Sequence, residues 1–423
     1  MTIGAILTYI LGIVCVLVLF RAYRNEDKTL IWSPLTFLTL TIVYYLVLPE
    51  FMNSREFEGY NVDSRSLSFH IGKLVSYVSI LVGFFLIRRK KVDNWTKWNN
   101  LFSEENALTF AVFLFAIAMV CHIPYRGFHL SFLSNGKELS EFDYSSPGLS
   151  YYFVNMIAVL CAACCLLIPK WEKHKIILGI IFWLTLVAFI VAGFRYRIVI
   201  LVISMFTVYY LYAENVKKIK ILPVVVISFV CYVGFNIMDH ARDYGNGIRL
   251  DVIAGMNRDE ITAQAGETER VYNYSIMVMD TYEKEGRREY FDPLINAAFI
   301  PIPRAIFPWK PNADYLYSSA NYVMRGGGVA SVYVYFVEAF MAFGWMGIII
   351  NGLFVGWLSR RFWNNYRNNP KSLGAILALA LYNGLTYVII SRGYLAQEYS
   401  CFLFYLCVPF LLSLLFKKSI KYK

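Results

Sequence analysis

Basic residues recur at a few set places in stretches that are otherwise apolar. Arg195 and Arg197 fall in GFRYR (Gly193 to Arg197), Arg304 and Lys310 in PIPRAIFPWKP (Pro301 to Pro311), Arg325 just ahead of three glycines, and Arg392 between two apolar runs. A guanidinium presents a planar, two-pronged set of donors and keeps its charge, so several of them converging make a clamp for a diphosphate. A diphosphate is the leaving group of a polyprenyl-linked sugar donor, and such a clamp stabilises the charge that grows on it as the glycosidic bond breaks. No metal or other cofactor is expected for this. The chain offers no acidic cluster at metal-ligand spacing in its long polar segment, and no glycine-rich phosphate loop or nucleotide motif. The donor expected is therefore lipid-linked rather than a nucleotide sugar.

An attacking hydroxyl needs an acceptor for its proton. The candidates are His240, Asp239, Glu267, Glu269 and Glu338. His240 is preferred on chemical grounds because an unperturbed imidazole titrates near neutrality; its other reading is an interfacial polar residue. Glu338 stands in apolar company, SVYVYFVEAFMAFGWMG (Ser331 to Gly347). A carboxylate at that depth is neutral, paired with an arginine, or set in a wet cavity. Catalysis and a steadying ion pair are both open to it. Arg195 likewise either meets a ligand, snorkels to lipid headgroups or pairs with a structural acid.

These residues must be positioned by membrane helices. The chain has 423 residues, 58% of them hydrophobic and only 16% charged, with mean hydropathy +0.50. A soluble domain carries about a quarter charged residues. Apolar runs of spanning length lie near 2–20, 30–49, 66–87, 106–124, 147–168, 174–193, 197–212, 218–238, 331–357, 371–390 and 398–416, about eleven spans at roughly 20 residues each. The first lacks a basic leader and a small-residue cleavage site, and is read as a retained span.

Orientation follows from the links. One alternate set carries dense cations, such as Arg88, Arg89, Lys90 and Lys91; Lys217, Lys218 and Lys220; Arg360, Arg361 and Arg367; and Lys417, Lys418, Lys421 and Lys423. The other set is sparse, holding Arg55, Arg65, Arg126, Lys137, Arg195, Arg197 and Arg392. The positive-inside rule makes the dense set cytoplasmic. The N-terminus is then outside and the C-terminus inside, with spans one to eight in 1–238, a large outer loop in 239–330, and three further spans in 331–423.

The net charge of +11 is thus an orientation signal, and nucleic acid is not an expected partner. Membrane lipids are. The eight cysteines all fall within or beside apolar runs, none in the long loop, so no disulfide framework is indicated.

The outer loop is rich in Tyr, Phe, Ile and Met and is expected to fold. Its prolines, Pro301, Pro303, Pro308 and Pro311, stiffen an extended stretch whose Trp309 and apolar neighbours suit a membrane–water boundary. Val271, Tyr274, Val278 and Tyr282 make a helical stripe over Thr268 to Glu285, stopped by Gly286. Asn312 is a cap for a second short helix through Met324. Gly344, Gly347, Gly352 and Gly356 are read as packing positions for close helix approach.

Many spans, one dominant outer loop, the arginine opening GFRYRIVI (Gly193 to Ile200), PIPRAIFPWKP, and GGGVASVYVYFVEAFMAFGWMG (Gly326 to Gly347) together resemble the O-antigen and oligosaccharide repeat-unit polymerases of the Wzy type. The resemblance covers the architecture of nearly the whole chain. It implies an all-α polytopic, GT-C-like glycosyltransferase at the periplasmic face of the bacterial inner membrane, moving a growing glycan from one undecaprenyl diphosphate to a repeat unit carried on another. It also implies that Arg195 and Arg304 contact diphosphate, and that a chain-length regulator is a partner. Related ligases and some polymerases carry a histidine just ahead of the late span, and Gly326 to Tyr335 has none. The nearest alternatives are an O-antigen ligase acting on lipid A core, and a lipid-linked oligosaccharide flippase or transporter.

Overall fold

An unbroken apolar run without proline or acid forms α1 (Ile3–Arg24), closed by Arg21 and Arg24 in its last turn, where cations suit the negative end of the helix dipole. Most of its side chains point outward. Ile3, Ile13, Val16, Leu17 and Phe20 are all exposed, the surface of a helix whose solvent is hydrocarbon.

The computed structural model describes residues 3–51, 56–57, 60–61, 66–86, 99, 104–126, 160, 171–191, 195–212, 242–243, 247–248, 250–256, 267–299, 302, 307, 309, 323 and 332–413. After α1 come α2 (Pro34–Phe51), α3 (Leu67–Leu86), α4 (Glu104–Arg126), α5 (Trp171–Val191), α6 (Arg195–Tyr212), α7 (Leu250–Gly255), α8 (Glu267–Glu285), α9 (Asp292–Phe299), α10 (Tyr335–Asn368), α11 (Leu373–Ser391) and α12 (Leu395–Leu412). Two hairpins of two-residue strands, Glu56–Phe57 with Tyr60–Asn61 and Arg242–Asp243 with Gly247–Ile248, are antiparallel.

The protein is embedded in a membrane. Six described helices, α1, α2, α3, α10, α11 and α12, are long and apolar enough to cross one, and α4, α5 and α6 contain shorter apolar stretches. Apart from Leu160 and Val323, the expected spans 147–168 and 218–238, and the helix expected from Asn312 to Met324, lie outside the described residues. The other expected spans each fall on a described helix.

The chain folds as two compact units: Met1–Lys91, Gln264–Asn364 and Leu385–Ser400 form the first, and Val92–Ala263, Asn365–Gly384 and Cys401–Lys423 the second. In the second unit, Asn99 and Asn365 exchange side-chain amide bonds at 2.9 and 3.1 Å. There α6 meets α11 closely: Ser204 donates to the Ala380 carbonyl at 3.1 Å.

In the first unit the expected helix over Thr268 to Glu285 is α8. Its stripe residues Val271, Tyr274, Val278 and Tyr282 are fully buried, and Gly286 ends it at φ +65°. Small residues let α3 and α10 approach: a Cβ on Gly352 or Gly356 would collide with the backbone of Ser76 or Ile80.

The expected span 331–357 is not one straight helix. Within α10, Phe343 and Gly344 leave helical geometry, Gly344 at φ +64°, ψ −146°. Tyr335 and Asn351 are sixteen residues apart, roughly 24 Å along a straight helix. Yet the Asn351 amide donates to the Tyr335 carbonyl at 3.2 Å. The chain therefore doubles back, a short arm 335–342 lying against the start of a long arm 345–368, and a Cβ on Gly347 would strike the Ala339 carbonyl. Gly344, expected as a packing residue, is instead the point of reversal. Carbonyls that lose helical partners there are taken by the segment after α8: Glu289 N–H donates to Met341 at 2.8 Å and Tyr290 N–H to Ala342 at 3.1 Å. The long arm alone, about 36 Å, exceeds the roughly 30 Å hydrocarbon core.

Candidate active site

The extended residues 332–334 lead into the short arm of α10 and are held from two sides. Val334 N–H donates to the Ser275 hydroxyl of α8 at 3.0 Å, and Gly393 N–H donates to the Tyr333 carbonyl at 2.7 Å. Gly393 is where the turn between α11 and α12 touches this segment. A Cβ there would lie 2.5 Å from the Tyr335 Cα and from the Val334 carbonyl oxygen, so only glycine fits. The Tyr333 ring stacks on Tyr274 with centroids 6.3 Å apart.

One turn into the short arm stands Glu338, 5% exposed. Its Oε2 accepts the Leu395 N–H at 2.7 Å, while its Oε1 is buried without a hydrogen-bond partner among the described residues. Leu395 is the first residue of α12, so Glu338 occupies the positive end of that helix, where a carboxylate is favoured. Glu398, three residues further into α12, interacts electrostatically with Glu338. Arg392 lies three residues before Leu395 in the same turn and is half-buried. The fold thus gathers Glu338, Glu398 and the turn bearing Arg392 within the first unit.

A second polar cluster of that unit braces α8 against α2 and α3. Lys73 is fully buried. Its ammonium donates to the Tyr272 hydroxyl at 2.9 Å and lies 3.8 Å from Glu50 Oε2; Tyr272 in turn donates to Glu50 at 2.5 Å. The faces of Phe69 and Tyr272 are 5.7 and 5.2 Å from the same charge. The α8 helix that this brace fixes is the one whose Ser275 and Tyr274 hold residues 333 and 334.

Among the expected site residues, Arg197 is fully buried in the second unit, its guanidinium 5.2 Å from the Tyr196 ring centroid. Arg195 is the first residue of α6, and its side chain, like that of Glu267 at the head of α8, lies outside what the structure describes. Glu269 is buried in the first turn of α8 with Oε1 lacking a hydrogen-bond partner among the described residues. Asp239, His240, Arg304, Lys310 and Arg325 lie outside the described residues.

Lys73 and Glu50 were not anticipated, although a signal existed. Lys73 interrupts the apolar run 66–87 and Glu50 closes the run 30–49, and an ionisable group inside a span is by default a functional candidate. Ser275, Tyr272 and Tyr333 carried no such mark, being ordinary residues until the fold opposes them.

A family model described as O-antigen polysaccharide polymerase Wzy matches residues 2–423. No curated protein and no solved structure matches the chain.

Proposed function

The chain belongs to the O-antigen polysaccharide polymerase Wzy family, and on that premise we propose that it polymerises undecaprenyl-diphosphate-linked oligosaccharide repeat units at the periplasmic face of the inner membrane. In this reading about eleven helices span the bilayer in a GT-C-like arrangement. The N-terminus and the segment 239–330 are periplasmic, the C-terminus is cytoplasmic, and a chain-length regulator works alongside.

The acceptor hydroxyl oxygen attacks the anomeric carbon of the donor glycan, the bond from that carbon to the diphosphate oxygen breaks, and the hydroxyl proton passes to a carboxylate or imidazole. Arg195, Arg197, Arg304, Lys310, Arg325 and Arg392 are the proposed diphosphate ligands, holding the leaving group as its charge grows. Glu338 and His240 are the proposed catalytic groups.

One arrangement supports the reading most. Glu338 is held by one oxygen at 2.7 Å on the Leu395 N–H, in the turn that carries Arg392, which sets a carboxylate and a guanidinium-bearing segment side by side. A carboxylate oriented through one oxygen keeps the other to receive a proton.

The test is the purified protein mixed with a defined undecaprenyl-diphosphate repeat unit, without nucleotide or added metal, and read as a glycan ladder on a gel. The wild type should give a ladder. Glu338→Gln keeps an acceptor for Leu395 N–H but cannot take a proton, so the ladder should fall by about 10²–10⁴-fold in rate while substrate binding persists. A ladder undiminished in Glu338→Gln would reduce Glu338 to a helix cap and leave His240 as the base. Translocation of the lipid without any ladder from the wild type would replace the polymerase by a transporter.

A further inference from the structure

The outward side of the short helix α9 is apolar beyond the exposed Asp292 of its first turn. Pro293, Asn296 and Ala297 are buried, while Phe291, Leu294 and Ile295 on the other side are exposed by 61, 48 and 41%. A surface helix carries charged or polar side chains on its outward stripe, and one that is apolar there needs an apolar neighbour. Asp292 supplies the only charge in this helix.

The patch does not stop at α9. Tyr290 precedes it, and Phe291 packs edge-on against Phe343 with centroids 5.2 Å apart, which brings in the tip of the α10 reversal. From Phe343 the exposed apolar surface runs on through Met346, Ile350, Phe354 and Trp357, one stripe of the long arm, a membrane span. At the other end Phe299 stacks on Phe307, which meets Trp309, itself 84% exposed.

We propose that α9 and the α10 tip are seated in the bilayer surface, with lipid acyl chains as the occupant of this patch. Continuity with the outward stripe of the long arm decides between lipid and a protein partner: one unbroken apolar surface passes from a span onto α9. Charge is confined to its margin, where Arg287 pairs with Glu289 at 2.9 Å and the Arg288 guanidinium lies 4.8 Å from the Phe340 ring centroid, as expected where an interfacial helix meets headgroups. Arg288 stands against the reversal itself, its Nε 3.2 Å from where a Cβ on Gly344 would be. Such seating fixes the depth of Glu338, which lies five residues along the short arm from the tip, about 8 Å deeper. It rests on none of the transfer chemistry proposed above.

The test uses the full-length protein in nanodiscs of phosphatidylethanolamine and phosphatidylglycerol. Leu294→Cys and Ile295→Cys carry a nitrobenzoxadiazole probe, and the wild type labelled in parallel gives the background from native cysteines. Lys284→Cys, at a side chain 69% exposed on α8, sets the aqueous reference, and Met346→Cys the lipid reference. Doxyl-labelled acyl chains should quench the probes at 294 and 295 several-fold more than the probe at 284, approaching the Met346→Cys value, and aqueous iodide should do the reverse. Iodide quenching at 294 and 295 equal to that at 284 would overturn the proposal. So would shielding of both probes from lipid and iodide alike, with disulfide-linked dimers of Leu294→Cys, which would hand the patch to a second copy of the chain.

Discussion

Replacing Lys73 by methionine removes a charge while nearly keeping the volume of the side chain. In the native protein its ammonium lies 3.8 Å from Glu50 and 2.9 Å from the Tyr272 hydroxyl, with no exposure to solvent. At an effective dielectric constant of about 20, a pair at that distance attracts by roughly 4 kcal/mol. Deleting one partner of a buried pair costs about 3–5 kcal/mol, because the other charge is left uncompensated. Lys73→Met should therefore cost about 3–5 kcal/mol. The double variant Lys73→Met/Glu50→Gln leaves no orphaned charge and keeps an amide oxygen to accept the Tyr272 hydroxyl, so its cost should fall to about 1–2 kcal/mol, the loss of the lysine's hydrogen bond to Tyr272. The second substitution should thus restore about 1–4 kcal/mol of what the first removes. Intrinsic tryptophan fluorescence during heating in detergent reads this as an apparent Tm lowered by on the order of 10 °C in the single variant and largely restored in the double. A double variant as unstable as the single one would refute the reasoning, since the cluster would then act through packing alone.

Three more outcomes follow from the same geometry. Gly344→Ala places a side chain at φ +64°, ψ −146°, a region reserved almost entirely for glycine, and should cost about 1–3 kcal/mol, read as a lower apparent Tm; an unchanged melting curve would contradict the reversal. Ser275→Ala strips the buried Val334 N–H of its acceptor and should cost about 1–3 kcal/mol, with polymer formation falling further than stability because residue 333 is displaced; equal activity would detach α8 from the site. Burial, then the bond from its hydroxyl to Glu289, raises the Tyr282 phenol above its ordinary value, which is about 10. The folded state thus favours the protonated phenol. That stabilisation is complete below pH 10 and declines as pH rises beyond it. Tyr282→Phe should flatten the decline in a Tm series from pH 8 to 11, and an unaltered series would exclude this phenol as its source.

What could be read from the chain beforehand was what depends on runs and local signals. Spans are legible because about 20 apolar residues have no alternative home, and α8 was legible because Val271, Tyr274, Val278 and Tyr282 repeat at helical spacing before a glycine. The reversal in α10 was not. FMAFGWMG reads as continuous apolar helix, and Gly344 looks like its neighbours Gly347 and Gly352 until backbone angles separate a turn from a packing contact. Nor was α9, whose eight residues are too few to show a period. Glu338 was recognisable as a costly intramembrane acid, but its partner was not, since the Leu395 N–H is a backbone group that sequence does not mark. Lys73 was overlooked inside a run read only for its hydropathy, and Tyr272 acquires its role from being opposite that lysine.

The short arm of α10 has a further consequence for biogenesis. Eight residues are far too few for a helix to persist by its own hydrogen bonds, so the arm is shaped by what it leans on: α8 and its following segment, already synthesised, and the turn before α12, synthesised afterwards. The Glu338 carboxylate meets its N–H donor across 57 residues of later sequence. The candidate centre is therefore completed only when α12 has entered the bilayer, and a nascent chain halted before Leu395 would hold a membrane scaffold whose Glu338 carboxylate has no seat.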